Sequence, residues 1–380
     1  MDGQPTADPL FRPRRILLAA PRSFCAGVER AIQIVLQALR DHGAPVYVRR
    51  QIVHNSHVVD QLRQRGAIVV AELDEVPEGA VVVFSAHGVA PSVLAEARRR
   101  RLQVVDATCP LVSKVHAEAR RFARDGHTVV LVGQAGHDEI VGTMGEAPQR
   151  TRLVQTAADA RTVTVSDPRR VVVLTQTTLA AEETAPVVDA LRARFPLLRT
   201  TATDDICYAA TNRQHAVRAI SAERDVILVL GSPNSHNTEC LVRVARREGV
   251  PAWLLEDATH LQPQWLSGAD TVGITAGASA PPALVQDLTA AIAAFGPVRI
   301  EERAVTVETL HFAPSHRSTH GAVAASGRAD PADDRDARPA AGPEALVGLA
   351  EPRPVLPRPP AETSGEASAG RAGTAAFSEW

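Results

Sequence analysis

The sequence predicts an α/β protein made of three similar domains, each with a short and mostly parallel sheet. Two observations carry this reading. Residues 15–300 alternate short β-branched runs with amphipathic helical stretches, as parallel α/β units do. One plan, an extended stretch that ends in a cysteine with a helix after it, occurs in "ILLAAPRSFCAGVERAIQIV", "LQVVDATCPLVSKVHAEARRF" and "TTATDDICYAATNRQHAVRAI". The cysteines are Cys25, Cys109 and Cys207, one per unit of about a hundred residues. A chain of 380 residues is also too long for one compact core.

In chain order, residues 1–14 read as a flexible N-terminus, 15–109 as the first α/β domain and 110–203 as the second. Residues 204–315 form the third domain with a return segment. The strands expected are "RILLAA", "AVVVFSA", "TVVLVG", "RVVVLT", "DVILVL" and "TVGITA". Each is apolar on nearly every residue, so each should be covered on both faces. A helix over 28–40 places Val28, Ala31, Ile32, Val35, Leu36 and Leu39 on one stripe. From residue 316 to 380, Pro, Ala, Gly, Asp and Arg dominate without an apolar period. Such a tail cannot bury enough surface to offset its ordering entropy, so disorder is expected there.

Hydrophobic content of 45% and charged content of 22% are ordinary for a soluble globular protein. A formal charge of −2 argues against a general nucleic-acid binder, so any anionic substrate must be held by a local constellation. No run of 18 apolar residues suggests a membrane span, and "MDGQPTADPLFRPRR" lacks the apolar region of a secretory signal. Four scattered cysteines make no disulfide framework, and a reduced, cytoplasmic setting is expected.

Ligands in open α/β sheets gather beyond the carboxyl ends of the strands. Reading those ends gives His87-Gly88, then His137, Asp138 and Glu139, then Gln176, Thr177 and Thr178. Ser235, His236 and Asn237 follow the next strand, and Ser279 the last. Gly88, Gly136, Gly231 and Gly277 stand beside these groups, where backbone could approach a ligand closely. Ser235 and Ser279 precede amphipathic runs as helix caps would, and helix N-termini favour phosphate. Two such tips together with His54 and His87 point to a phosphate site. Glu139, in a glycine-bounded loop near Thr177, is the natural proton donor; read from residues alone, it is equally an exposed loop carboxylate.

Cys240 fits a buried helix stripe, but Cys25, Cys109 and Cys207 each adjoin a turn and a polar segment. A nucleophile would account for one of them, and the close pairs of zinc sites are absent. Three thiolates from separate loops could instead hold an iron–sulfur cluster with one open iron. A cysteine hydrolase would need a dedicated histidine base for Cys25, and a mere electron carrier would need none of the phosphate-site residues.

Taken together, "PRSFCAGVERAI", "YVRRQIVHN", "FSAHGV", "VDATCPLVSKVH", "GHDEIVGTMGE", "TQTTL", "DDICYAATNRQ" and "GITAGASAP" resemble the 4-hydroxy-3-methylbut-2-enyl diphosphate reductase family. That family supplies the last enzyme of the methylerythritol phosphate route to isoprenoids. The resemblance covers residues 15–300 and implies a trefoil of three α/β domains around one central [4Fe–4S] cluster per chain. It places the cluster ligands on Cys25, Cys109 and Cys207, with Gly27 leaving room for the cluster. The diphosphate falls to His54, His87, Ser235, Asn237 and Ser279, and the substrate hydroxyl to His137, Thr177 and Glu139. The implied reaction is a two-electron, two-proton reductive dehydroxylation to isopentenyl or dimethylallyl diphosphate, with Glu139 supplying the proton that lets the oxygen leave as water. Electrons would come from a ferredoxin or flavodoxin, since no G-x-G-x-x-G follows a strand. One departure stands out: the family loop G-S-x-N-S-S-N-S reads "GSPNSHNT" here, putting His236 where a serine usually helps hold diphosphate. An imidazole can still donate to phosphate, and as an imidazolium it would bind more weakly above its pKa.

Overall fold

The computed structural model describes residues 10–201 and 205–313. The expected tail at 316–380 and most of the expected flexible N-terminus lie outside the described residues. In chain order the elements are β1 (Arg14–Ala20), α1 (Ala26–His42), β2 (Val46–Arg49), α2 (Ser56–Gln64), β3 (Ala67–Val70), β4 (Val81–Phe84), α3 (Pro91–Arg99) and β5 (Gln103–Asp106). There follow α4 (Pro110–Arg124), β6 (Thr128–Val132), α5 (Asp138–Glu146), β7 (Thr151–Val154), α6 (Ala157–Thr162), β8 (Val171–Thr175) and α7 (Ala181–Arg194). The chain continues with α8 (Tyr208–Ser221), β9 (Val226–Leu230), α9 (His236–Arg247), β10 (Ala252–Leu255), β11 (Thr271–Ala276), α10 (Pro282–Ala293) and β12 (Val298–Ala304).

These strands form three sheets, ordered β3-β2-β4-β5, β7-β6-β8 and β10-β9-β11-β1-β12. Their pairings run parallel. Every one of the six expected apolar runs is a strand. β4, β6 and β9 are buried at all positions, as helices on both faces require. The strands the apolar pattern did not single out are short or partly exposed. β3, β7 and β10 each carry an exposed residue in four. β12 reads "VRIEERA" and occupies a sheet edge, where one side of its ladder meets solvent.

β1 lies within the sheet of the third unit, although its sequence leads into the first. It is hydrogen-bonded between β11 (Leu17 opposite Gly273) and β12 (Leu17 opposite Glu301). Packing explains this. Ile16 joins Leu228, Ile274 and Leu288 on one side of the sheet, and Leu17 joins Val217, Ile227 and Leu241 on the other. At its start, the buried Arg14 guanidinium donates to the carbonyls of Leu10, Arg12, Leu266 and Phe295, which anchors residues 10–13 as well.

The helix expected over 28–40 extends from Ala26 to His42, and Val28, Ala31, Ile32, Val35 and Leu36 of its stripe are buried against the first sheet. Because β1 is central to the third sheet, truncating it should loosen its neighbours. Leu17→Ala is expected to destabilise the protein by about 2–5 kcal/mol, read by chemical denaturation. Hydrogen-exchange protection should fall in β11 and β9 but not in β4.

Candidate active site

Beyond the carboxyl ends of all three sheets lies one cavity, and every residue singled out above as a ligand or catalyst lines it. The first sheet brings His54, His87 and Cys109, and the second His137, Glu139 and Thr177. The third brings Cys25, Ser235, His236, Asn237 and Ser279, while Cys207 enters from the start of α8.

Cys25, Cys109 and Cys207 occupy the N-cap positions of α1, α4 and α8. Their carbonyls accept the first helical bonds, from Glu29, Ser113 and Thr211, but no thiol caps a helix. The sulfurs are thus free to face the cavity. A Cβ on Gly27 would stand 2.7 Å from the Cys109 sulfur and 3.9 Å from that of Cys25, so only glycine leaves the thiols this space. Burial, with the nearby Cys25 charge second, pushes the Cys109 thiol up to about 11. The same causes push Cys207 up to about 12. Burial thus keeps the Cys109 and Cys207 thiols protonated in the absence of a cation, even at helix N-termini that favour thiolate. Cys240 is fully buried in the third-sheet core. The donor set is therefore three thiols around a recess, which fits a thiophilic metal group with one position left open.

Glu139 stands in the first turn of α5, not in a loop, and is 2% exposed. Its carboxylate accepts from the Thr177 amide at 2.7 Å and from the Thr177 hydroxyl at 2.9 Å. Burial outweighs those two bonds and raises its pKa from 4.5 to about 7, where a carboxyl can both hold and give a proton. His137 caps the same helix, its Nδ1 accepting from the Glu139 amide at 3.1 Å. Nε2 therefore carries the ring proton.

His54 and His87 stack with centroids 4.0 Å apart, and His137 meets them edge-on at 5.2 and 5.6 Å. Burial lowers the pKa of all three, that of His137 to about 4, so burial alone favours neutral rings. Donor atoms of His54, His87 and Asp138 lie within 4.8 Å of one another, as metal ligands would, but Asp138 already pairs with Arg50.

In the third sheet, Ser235 is the expected cap, accepting from the Thr238 amide at 3.3 Å. Ser279 is not a cap. α10 starts three residues later, and the Ser279 hydroxyl instead donates to the His54 carbonyl at 2.8 Å, joining the third unit to the first. The Asn237 side-chain oxygen accepts from the Ala278 amide, while its buried amide nitrogen has no protein partner. The imidazolium considered for His236 is disfavoured: burial and Arg243 lower its pKa to about 4. Its Nδ1 lies 3.2 Å from the Thr178 hydroxyl and its Nε2 accepts from Arg243 at 3.3 Å.

Three of the four glycines serve protein packing, whereas a Cβ at Gly136 would meet nothing within 4 Å. A Cβ at Gly231 or Gly277 would strike the Thr238 hydroxyl, and one at Gly88 the His116 ring. Sequence reasoning passed over His116, Arg243 and Asp205. His116 bonds Glu146 at 2.8 Å beneath the site, and Asp205 accepts from the Thr175 amide and the Thr201 hydroxyl two residues before Cys207. A polar residue inside an otherwise apolar helix stripe, as His116 is, was the available signal.

A family model described as "LytB protein" matches residues 16–293. The 4-hydroxy-3-methylbut-2-enyl diphosphate reductase 2 of Mycobacterium bovis is 55% identical over 301 residues, covering 78% of this chain and 92% of that protein. Among solved structures, the E-1-hydroxy-2-methyl-but-2-enyl-4-diphosphate reductase of Plasmodium falciparum is similar with a TM-score of 0.76 and 33% identity, over 80% of this chain and 96% of that one. A second, (E)-4-hydroxy-3-methyl-but-2-enyl diphosphate reductase, described as the terminal enzyme of the non-mevalonate pathway, has a TM-score of 0.54 and 31% identity over 73% and 99%.

The raised carboxyl has a stability signature. Between its unfolded value near 4.5 and its folded value of about 7, the native state binds more protons than the unfolded chain. Stability should therefore fall as pH rises through that window, and the Glu139 contribution to that slope should vanish in Glu139→Gln, measured by denaturation at pH 5 and pH 7.5.

Proposed function

The chain belongs to the LytB family and catalyses the last step of the methylerythritol phosphate pathway, and we propose that Glu139 is the proton donor of that reaction. The step is the reductive dehydroxylation of (E)-4-hydroxy-3-methylbut-2-enyl diphosphate to isopentenyl and dimethylallyl diphosphate. In balance, the alcohol takes up two electrons and two protons, its C–O bond breaks, oxygen leaves as water and a proton adds to carbon.

Membership of the family makes this an iron–sulfur enzyme. Our reading of the finer detail is one [4Fe–4S] cluster per chain on Cys25, Cys109 and Cys207, supported by three free thiols lining one cavity, two of them beside the Gly27 recess. When bound, it supplies the two electrons and leaves one iron without a protein thiolate.

The chain's own groups do the rest. Glu139 delivers a proton to the departing oxygen, and Thr177, bonded to both carboxylate oxygens, orients it. His137 presents its Nε2–H beside them. The diphosphate lies at the α9 N-terminus, where the unpartnered Asn237 amide nitrogen donates to it together with Ser235, Ser279, His54 and His87. Arrival of the anion favours protonation of the neutral histidines, which strengthens its own binding. His236 acts here as a wall of the cavity that fixes Thr178. A reduced ferredoxin or flavodoxin is the electron source, and four free cysteines suit a reducing cytoplasm. No helix among the described residues is long and apolar enough to cross a membrane.

The observation that carries the assignment of the proton donor is a buried carboxyl with a pKa of about 7, bonded to Thr177 in the cavity that gathers the thiols. The test is anaerobic turnover of the hydroxymethylbutenyl diphosphate with a reduced viologen dye. Glu139→Gln is expected to keep its iron and its substrate affinity while turnover drops by about 10²-fold or more. Normal turnover in that variant overturns the assignment. Because the donor must be protonated, kcat should decline as pH rises through about 7. Thr177→Val removes a bond that favours the carboxylate, so the decline should move to higher pH.

A further inference from the structure

Two buried arginines outside the cavity lining connect all three cysteine turns to one short segment. Arg213, on α8 and fully buried, donates Nε and Nη2 to the Ser23 carbonyl at 3.1 and 2.7 Å and Nη2 to the Phe24 carbonyl at 3.0 Å. Its Nη1 donates to the Ala209 carbonyl at 2.9 Å. Those carbonyls lie within two residues of Cys25 and Cys207. Arg30, on α1, donates to the carbonyl of Thr108, the residue before Cys109, at 3.0 Å. Ser23 has φ 63°, a left-handed conformation that a serine adopts only at a cost, so its turn needs an outside hold.

The groups opposite both guanidiniums come from residues 305–313, which carry no helix or strand. The segment leaves the third sheet at Val305, whose amide donates to the Ala20 carbonyl. Both Glu308 oxygens accept from Arg213 Nη1, at 3.1 and 3.2 Å, and one accepts from Asn212 at 3.0 Å. The Ala313 carbonyl accepts from Arg30 at 3.2 Å. Glu308 is the one carboxylate bonded to the Arg213 guanidinium among the described residues. Removing it would leave the buried guanidinium without its one hydrogen-bonded carboxylate among the described residues, which is costly.

We infer that residues 305–313 are a strap that locks the cysteine turns through Arg213 and Arg30, and that Glu308 is a positioning residue for the iron–sulfur group. The inference rests on the proposed cluster site. Loss of the Glu308 charge frees the Ser23–Cys25 turn, and the thiolates then release iron sooner. Substrate affinity is unaffected, because the strap does not line the cavity.

The test compares anaerobically purified wild type, Glu308→Gln, Glu308→Asp and the control Glu223→Gln. Glu223 pairs with Arg15 and Arg303 on the third sheet and touches no cysteine turn. The readouts are the rate at which an iron chelator bleaches the cluster, the KM for substrate and the unfolding midpoint. Glu308→Gln should lose its cluster about tenfold faster with KM unchanged. Glu308→Asp should fall between Gln and wild type, and the control should match wild type. A wild-type bleaching rate in Glu308→Gln overturns the strap, as does equal acceleration in the control. If Glu308→Gln does not fold, Glu308→Asp decides: bleaching at the wild-type rate overturns the strap and faster bleaching with unchanged KM supports it. A wild-type protein that holds no iron overturns the cluster reading and the strap with it.

Discussion

Desolvation of one shared cavity is the constraint on which the rest of this structure depends. Parallel sheets send their strand ends, and the helix N-termini that follow, to the same side, and here three sheets do so at one point. The convergence removes water from acids, imidazoles and thiols together. Burial disfavours whichever form is charged, so it raises Glu139, Cys109 and Cys207 and lowers His54, His87, His137 and His236. Burial thereby favours the uncharged form of each group, and two good hydrogen bonds from Thr177 do not reverse that for Glu139.

Such a site becomes charged through what it binds. On the reading proposed above, an iron group would take the place of the protons on Cys109 and Cys207, and an anionic diphosphate would favour protonation of the imidazoles. Glu139 lines the same cavity, and with its pKa raised to about 7 it keeps a proton at pH values where an ordinary carboxyl has lost it. The same burial underlies all three proposed roles: metal binding by the thiols, anion binding by the imidazoles and proton donation by Glu139. It also explains why the chain needs no strongly positive surface to hold an anionic substrate, at a net charge of −2.

Holding these donors close around one cavity requires a rigid frame, and the chain supplies it by long-range closure. β1 inserts between β11 and β12, so the first cysteine is carried by the third sheet while α1 packs on the first. Ser279 reaches from the third unit to the His54 carbonyl. The segment after β12 then fastens the turns around Cys25 and Cys109 from outside. Each of these contacts joins residues about a hundred or more positions apart, and each fixes a backbone next to a cavity residue.

Much of this was legible in the residues themselves. The central strands announce themselves because a strand covered on both faces must be apolar throughout, and the recurrence of a cysteine before a helix marked three equivalent N-caps. Motif resemblance named the cavity residues, since their chemistry is carried by residue type at a strand end. Local pattern could not place Glu139 in a helix rather than a loop, because a short turn capped by His137 has no apolar period to reveal it. Nor could it tell that Ser279 ties two units instead of capping a helix, or that Arg213 and Glu308 meet. The sequence by itself determined the strand and helix types, the three cysteines and the chemical repertoire of the cavity, because those follow from side-chain polarity and near-neighbour spacing. Only the tertiary structure decided which sheet owns β1, the protonation of each buried group and what clamps the cysteine turns, because burial and partnership arise between segments that are distant along the chain.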